Sequence, residues 1–189
     1  MSETLIKNIN KHIRLEKEEK SYVLRVFREK EVKKKEFILS SGQLCDQFSF
    51  VESGSLRAFY MDAAGKESTI MFAFSDWWIT DMHCFVNGLP AMLNIVALEN
   101  SKILQISKAD LDHLYIQIPK FERFFRILLQ NAYTREQVRV IQNLSLTAEE
   151  RYDIFLNKYP QVARQVTQKQ IASYLGITPE FLSMIRARK

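Results

Sequence analysis

Near the end of this 189-residue chain, the run Q-K-Q-I-A-S-Y-L-G-I-T-P-E-F-L-S-M-I-R-A-R-K (168–189) spaces its residue types as two short helices joined by a tight turn. Ile171 and Leu175 lie four apart and share one helical face. Ala172 is small where two crossing helices must approach closely. Gly176 stands where a left-handed residue stops a helix, and Ile177 plugs the turn behind it. Thr178 offers an N-cap oxygen, and Pro179 fits the first helical position, where its missing N–H has no partner to lose. Leu182 and Ile185 supply the inner face of the second helix. Glu180, Ser183, Met184 and Arg186 are left on its outer face. A pair of helices built this way does the chemistry of reading double-stranded DNA, with the outer face of the second helix entering a major groove. Lys169, Gln170, Thr178, Pro179 and Arg188 join those four as candidate DNA contacts, and Lys189 adds charge. A merely structural αα-hairpin shares part of the pattern but not the whole set.

No other constellation supports a reaction. There is no Ser/His/Asp set, phosphate-binding glycine loop or pair of catalytic carboxylates, so no catalytic residue is assigned and no enzyme is expected. Asp81, His83 and Cys84 invite a metal or redox reading. Their spacing on one short helix cannot aim all three at one ion, and no His-x-x-His or Cys-x-x-Cys framework accompanies them, so neither metal nor cofactor is expected. Cys45 and Cys84 are the two cysteines of the chain, and a cysteine-ligated iron–sulfur cluster takes about four thiolates. Free thiols, a highly charged N-terminus without a secretory signal, and no apolar run of membrane-spanning length together suggest a cytoplasmic protein with no membrane partner.

Charge is unevenly spread. Residues 1–40 hold eleven Lys/Arg against seven Asp/Glu, residues 41–110 four against eight, and residues 111–189 twelve against seven. Nucleic acid would meet the basic ends, and the acidic middle has another task.

The elements that must position the reading helix follow from periodicity. Residues 3–13 (Leu5, Ile6, Ile9, Ile13) and 18–28 (Tyr22, Val23, Val26, Phe27) read as short amphipathic helices. Lys33-Lys34-Lys35 reads as a solvated turn ahead of a strand at Phe37-Ile38-Leu39 rather than as a DNA contact. From there to about Ser107, short apolar or alternating runs are punctuated by Ser41-Gly42, Ser53-Gly54, Asp62-Ala-Ala-Gly65 and Asn87-Gly88. That is the texture of a small all-β barrel or sandwich. Helical period resumes after Pro119, where Phe121, Phe124, Phe125, Leu128, Leu129, Ala132, Val138, Ile141 and Leu144 form one long seam. A helix of that length, near 35 Å at about 1.5 Å per residue, predicts a second copy of itself as partner. Asn143 to Thr147 reads as a hinge, and Thr147-Ala-Glu-Glu150 as a capping box opening a further helix.

In this order of parts the chain resembles the Crp–Fnr superfamily of bacterial transcription regulators. The similarity covers essentially the whole chain and is most specific at F-V-E-S-G-S-L-R-A (50–58), D-A-A-G-K-E (62–67), A-L-E-N-S-K-I-L-Q-I-S (97–107) and Q-I-A-S-Y-L-G-I-T-P-E-F-L-S (170–183). The first three resemble the hairpins and closing strand of a cyclic-nucleotide-binding β-roll. The resemblance implies an α+β fold: N-terminal helices with a jelly-roll-like sensor barrel (1–118), a dimerisation helix (119–145) and a helix-turn-helix domain (146–189) lacking the family's usual wing. It implies a homodimer, formed through 120–144, on palindromic DNA.

The ligand cassette departs from the family. The Arg-Ser pair that neutralises and binds a cyclic phosphate falls on Ala91-Met92, and the Gly-Glu pair on Thr80-Asp81. Asp81 keeps the capacity to accept a hydroxyl, but nothing replaces the arginine, and a buried uncompensated phosphate costs several kcal/mol. Cyclic AMP is therefore not the expected effector. Phe72, Phe74, Trp77, Trp78, Met82, Phe85 and Met92 fall around the same cassette, as core or as the lining of a pocket for an apolar, planar or uncharged molecule. On the same resemblance Glu136 and Gln137 of the long helix fall where the family's pocket is lidded, and Tyr133 joins the candidate pocket residues. In the reading helix, Pro179 and Met184 stand where relatives often carry arginine. A ligand-binding or protein-interaction module that no longer binds DNA specifically is the alternative reading.

Overall fold

The computed structural model describes residues 3–188, so Lys189, one expected phosphate contact, lies outside the described residues. Helices α1 (Glu3–Asn10) and α2 (Lys17–Val26) open the chain. The first stops three residues short of Ile13, which is buried all the same. Leu5 and Ile9 are fully buried four residues apart, and Asn8 beside them accepts the Trp78 indole N–H at 2.9 Å.

Eight strands follow: β1 (Arg28–Val32), β2 (Phe37–Leu39), β3 (Gln47–Ser53), β4 (Ser55–Met61), β5 (Glu67–Phe74), β6 (Trp78–Ile79), β7 (Asn94–Ala97) and β8 (Ser101–Ser107), with the short helix α3 (Met82–Asn87) after β6. They form two antiparallel four-stranded sheets, β1-β8-β3-β6 and β2-β7-β4-β5. Phe48, Phe50, Leu56, Ile95, Ile103 and Ile106 are buried in their common core. Strand β1 escapes the sequence pattern because it reads R-E-K-E-V and buries only Val32; its pairing with β8, rather than an apolar face, makes it a strand. Lys33 to Lys35 form the solvated turn that follows it, with Lys35 at φ +71° and the Lys34 N–H donating to the Asn100 side chain at 2.9 Å.

Helix α4 (Lys108–Gln117), also not expected, is capped by Ser107 and buries Leu111 and Leu114. Helix α5 (Lys120–Ser145) is the long seam helix. Its first turns bury Phe121, Phe124 and Phe125 against the roll, whereas Tyr133, Val138, Ile141 and Leu144 are exposed, Leu144 by 82%. The Thr147–Glu150 capping box opens α6 (Ala148–Lys158), followed by α7 (Pro160–Gln165), α8 (Gln168–Leu175) and α9 (Pro179–Ala187). No helix among the described residues is long and apolar enough to cross a membrane.

The hairpin between β3 and β4 depends on Gly54. Its φ is +87°, and a Cβ built there would lie 2.3 Å from the Ser101 Oγ and 2.7 Å from the Ser101 Cα. Ser101 cannot retreat freely, because its hydroxyl accepts the Ser55 N–H at 3.1 Å. Gly54→Ala should therefore combine backbone strain with overpacking and lower stability by about 2–5 kcal/mol, read from the midpoint of denaturant unfolding.

Candidate nucleic-acid interface

The helix pair α8–α9 is assembled by local hydrogen bonds, at the expected Gly176 turn and Thr178 cap and also at Thr167, a cap not expected from the sequence. Thr167 caps α8 in a reciprocal box: its Oγ1 accepts the Gln170 N–H at 3.3 Å and its own N–H donates to the Gln170 Oε1 at 2.9 Å. Gly176 ends α8 at φ +70°, after which the Ile177 N–H reaches back to the Ala172 carbonyl at 3.0 Å. Thr178 then caps α9, accepting the Phe181 N–H at 3.2 Å, with Pro179 in the first turn. Ile171, Ala172, Leu175, Leu182 and Ile185 are buried with Tyr152 and Phe155 of α6 in a second core.

That packing leaves Glu180, Ser183, Met184, Arg186 and Arg188 exposed on α9. Lys169, Gln170, Thr178 and Pro179 come together along a groove of about 450 Å³ that also takes in Lys66 of the β4–β5 turn. Gln170 is partly committed to its cap. The candidate DNA contacts thus occupy the exposed face of α9 and the groove at the starts of α8 and α9.

Behind this face lies a joint that sequence reasoning missed. Strand β5 is an edge strand, paired only with β4. Its outward backbone groups are met by a single serine of α8: the Ser173 hydroxyl donates to the Glu67 carbonyl at 2.7 Å and accepts the Thr69 N–H at 2.9 Å. Arg57 is buried under it, donating through Nε to the Thr69 hydroxyl at 2.8 Å and through Nη1 to Glu67 at 2.6 Å, and lies 4.5 Å over the Phe59 ring. One residue further on, Ile70 is the extra residue of a β-bulge, and its carbonyl accepts from Arg139 of α5. Arg139 also sits 5.2 Å over the ring of Tyr174, whose phenol is pushed upward in pKa by burial. No apolar period announces these contacts. The available signal was Ser173, a small polar residue beside the buried face of α8.

The expected ligand-pocket residues do not share one cavity. Successive side chains of a strand point to opposite faces, so Phe72 and Phe74 leave the roll and join the second core, while Ala73 between them stays inside it. A left-handed Asp76, φ +75°, then turns the chain ahead of the two consecutive tryptophans, whose side chains diverge. Trp77 meets Tyr159, with ring centroids 6.0 Å apart, and Trp78 stacks on Phe48 at 5.1 Å within the roll. The grouping of these aromatics around one cassette is corrected accordingly. Phe72, Trp77 and Glu136 line a void of only about 20 Å³ between roll and helices, room for about one water. Glu136 pairs there with Arg139 at 3.3 Å, while Tyr133 and Gln137 are exposed.

The cassette is closed by its own hydrogen bonds. Asp81 is buried, with one carboxylate oxygen capping α3 through the Cys84 N–H and the other accepting the Met92 and Leu93 N–H groups at 2.8 and 2.9 Å. It holds the loop to the helix, so most of its acceptor capacity is already engaged by the chain's own N–H groups. The Thr80 hydroxyl donates to the Gln47 carbonyl at 2.9 Å, Ala91 is buried, and the Met92 side chain turns to solvent. Burial pushes the Cys45 and Cys84 thiols upward in pKa, whereas His83 is exposed beside Asn87.

Removing the Ser173 hydroxyl should leave the β5 edge groups unsatisfied, at a cost of about 1–3 kcal/mol. Ser173→Ala should accordingly speed amide hydrogen exchange at Thr69 while exchange in β3 and β8 stays slow. Equal protection of Thr69 in both proteins would show the joint to be loose in solution.

Comparison with known proteins agrees with this architecture. Residues 29–117 match the model of the cyclic nucleotide-binding domain. The regulatory protein HlyX of Actinobacillus pleuropneumoniae is 26% identical over 178 residues, covering 85% of this chain and 71% of its own. The transcriptional activator Anr of Pseudomonas protegens is 24% identical over 174 residues, covering 86% and 70%. Among solved structures, the c-di-GMP-responsive global regulator CLP of Xanthomonas campestris shares the fold with a TM-score of 0.77 at 12% identity, over 92% of this chain and 91% of its own. Residues 29–117 are thus similar to a cyclic nucleotide-binding domain, and the chain is similar in sequence to regulators such as HlyX and Anr and in fold to CLP.

Proposed function

We propose that this protein is a homodimeric transcription regulator that reads double-stranded palindromic DNA through α9 and responds to a signal received by its β-roll. The observation that carries the reading is the helix pair itself: both caps, the left-handed Gly176 and the buried inner face leave the outer face of α9 solvent-exposed. Residues 1–118 would be the sensor, 119–145 the dimerisation helix and 146–189 the DNA-binding unit. The sensor is coupled to α8 by the β5 joint, so a signal that moves β5 or the Arg139 segment of α5 biases the orientation of the reading helices as a population shift.

The relatives support dimerisation and DNA binding by their class, and the exposed stripe on α5 supplies a surface for the first. Leu128 is packed against the roll core of its own protomer, so its replacement would disturb the fold. Tyr133 and Leu144 are 68% and 82% exposed. Tyr133→Asp combined with Leu144→Asp should give a folded monomer by sedimentation, while the unmodified chain sediments as a dimer at micromolar concentration.

The effector is not a cyclic mononucleotide in this reading. Ala91 and Met92 bring no cation to the cassette, Asp81 is spent on the loop, and Arg57 is spent on Glu67, Thr69 and Ser173. Calorimetric titration with cyclic AMP or cyclic GMP should give no heat of binding; micromolar affinity for either would require that the joint open and release Arg57.

DNA binding is tested by selection from random duplexes and footprinting. A dimer should protect two half-sites about one helical turn, near 34 Å, apart. Affinity should fall steeply with salt, because Lys169, Arg186 and Arg188 would contact phosphate. Glu180→Ala should relax preference at a single base pair per half-site, by about 1–3 kcal/mol, whereas Arg186→Ala should weaken all sequences alike and flatten the salt slope. Selection that returns no enriched palindrome would favour an interaction module instead.

A further inference from the structure

The outward face of α9 carries exposed apolar side chains beside its polar ones. By the helical period, Glu180, Ser183, Met184 and Ala187 point away from the buried Leu182 and Ile185, and Phe181, Met184 and Ala187 follow one another at three-residue steps as one stripe. Phe181 is 41% exposed and Met184 48%, although each belongs to a residue type usually kept inside. Arg186 falls on one flank of this stripe, and Arg188 follows as the C-cap in line with its C-terminal end, both exposed. A cation at the flank and one at the end of the helix suit phosphates beside a groove. Exposed apolar side chains suit a floor that carries apolar groups.

In the major groove of DNA the apolar group is the C5-methyl of thymine, and guanine instead presents two acceptors that arginine or lysine meets. Neither cation stands on the central face of α9. Resting on the DNA-reading function proposed above, we propose that Phe181 and Met184 determine specificity by packing on thymine methyl groups, so that each half-site carries thymine opposite the middle of α9. Glu180 beside them remains an acceptor for a neighbouring cytosine amino group or adenine amino group.

Deoxyuridine lacks only the C5-methyl of thymine and so isolates this contact. The purified full chain is first used to select a palindrome from random duplexes; equilibrium binding is then measured on that duplex and on copies with deoxyuridine replacing one enriched thymine in each half-site. At the thymines facing Phe181 and Met184, loss of the methyl should weaken binding about fourfold per half-site, the worth of one buried methyl-sized group. Met184→Gln keeps the side-chain length at an exposed position, and with it thymine and deoxyuridine should bind more nearly alike, while the circular dichroism spectrum is unchanged. A palindrome bound equally well with thymine or deoxyuridine at every position would overturn the inference and leave the DNA-reading function standing, as would a half-site with guanine at its centre. If no sequence is enriched, that function falls and the inference falls with it.

Discussion

An edge strand exposes a row of backbone donors and acceptors that must be covered, hydrated or paired. In this protein β5 is that strand, and α8 of the helix-turn-helix covers it through the Ser173 hydroxyl, which meets one carbonyl and one N–H two residues apart. Arg57 and Arg139 complete the cover from either side, one buried beneath the hairpin and one reaching across from α5. Since this hydroxyl belongs to α8 and bonds to the sheet edge, the orientation of the helix pair is tied to the geometry of a strand in the roll. The aromatic side chains around it, Phe72, Phe155, Tyr159 and Tyr174, add apolar area to the same contact.

The long helix is built for two partners. Its phenylalanine end is part of the roll core, where Phe124 and Phe125 pack on Trp78, and its remaining turns carry an apolar stripe to solvent. Arg139 stands near the division, so it touches β5 of the roll and Tyr174 of α8 from within the seam helix. A change in how two copies of α5 pack would be felt at the β5 bulge without passing through the roll interior.

The cassette illustrates how one substitution pattern redirects a fold. Alanine and methionine at 91 and 92 bring neither a cation nor a hydroxyl to the loop, so a group of the chain itself organises it. Asp81 takes that organising role from within the chain, accepting two loop N–H groups and one helix N–H. A buried carboxylate satisfied by three backbone donors stabilises the loop.

The helix-turn-helix was legible because its constraints are local: caps, a left-handed glycine and faces set by the 3.6-residue period all operate within some twenty residues. The roll was legible from its turns, and the length of α5 from its apolar seam. What sequence could not supply came from contacts between distant segments. Strand β1 has no apolar face and exists because β8 pairs with it. The aromatic run 72–78 looked like one cluster, but strand alternation and the turn at Asp76 divide it between two cores. Ser173 and Thr69 are more than a hundred positions apart, and no local pattern encodes their meeting. Local backbone preference and periodicity are written in neighbouring residues, whereas the satisfaction of a sheet edge or a buried carboxylate depends on which groups the fold brings within about 3 Å.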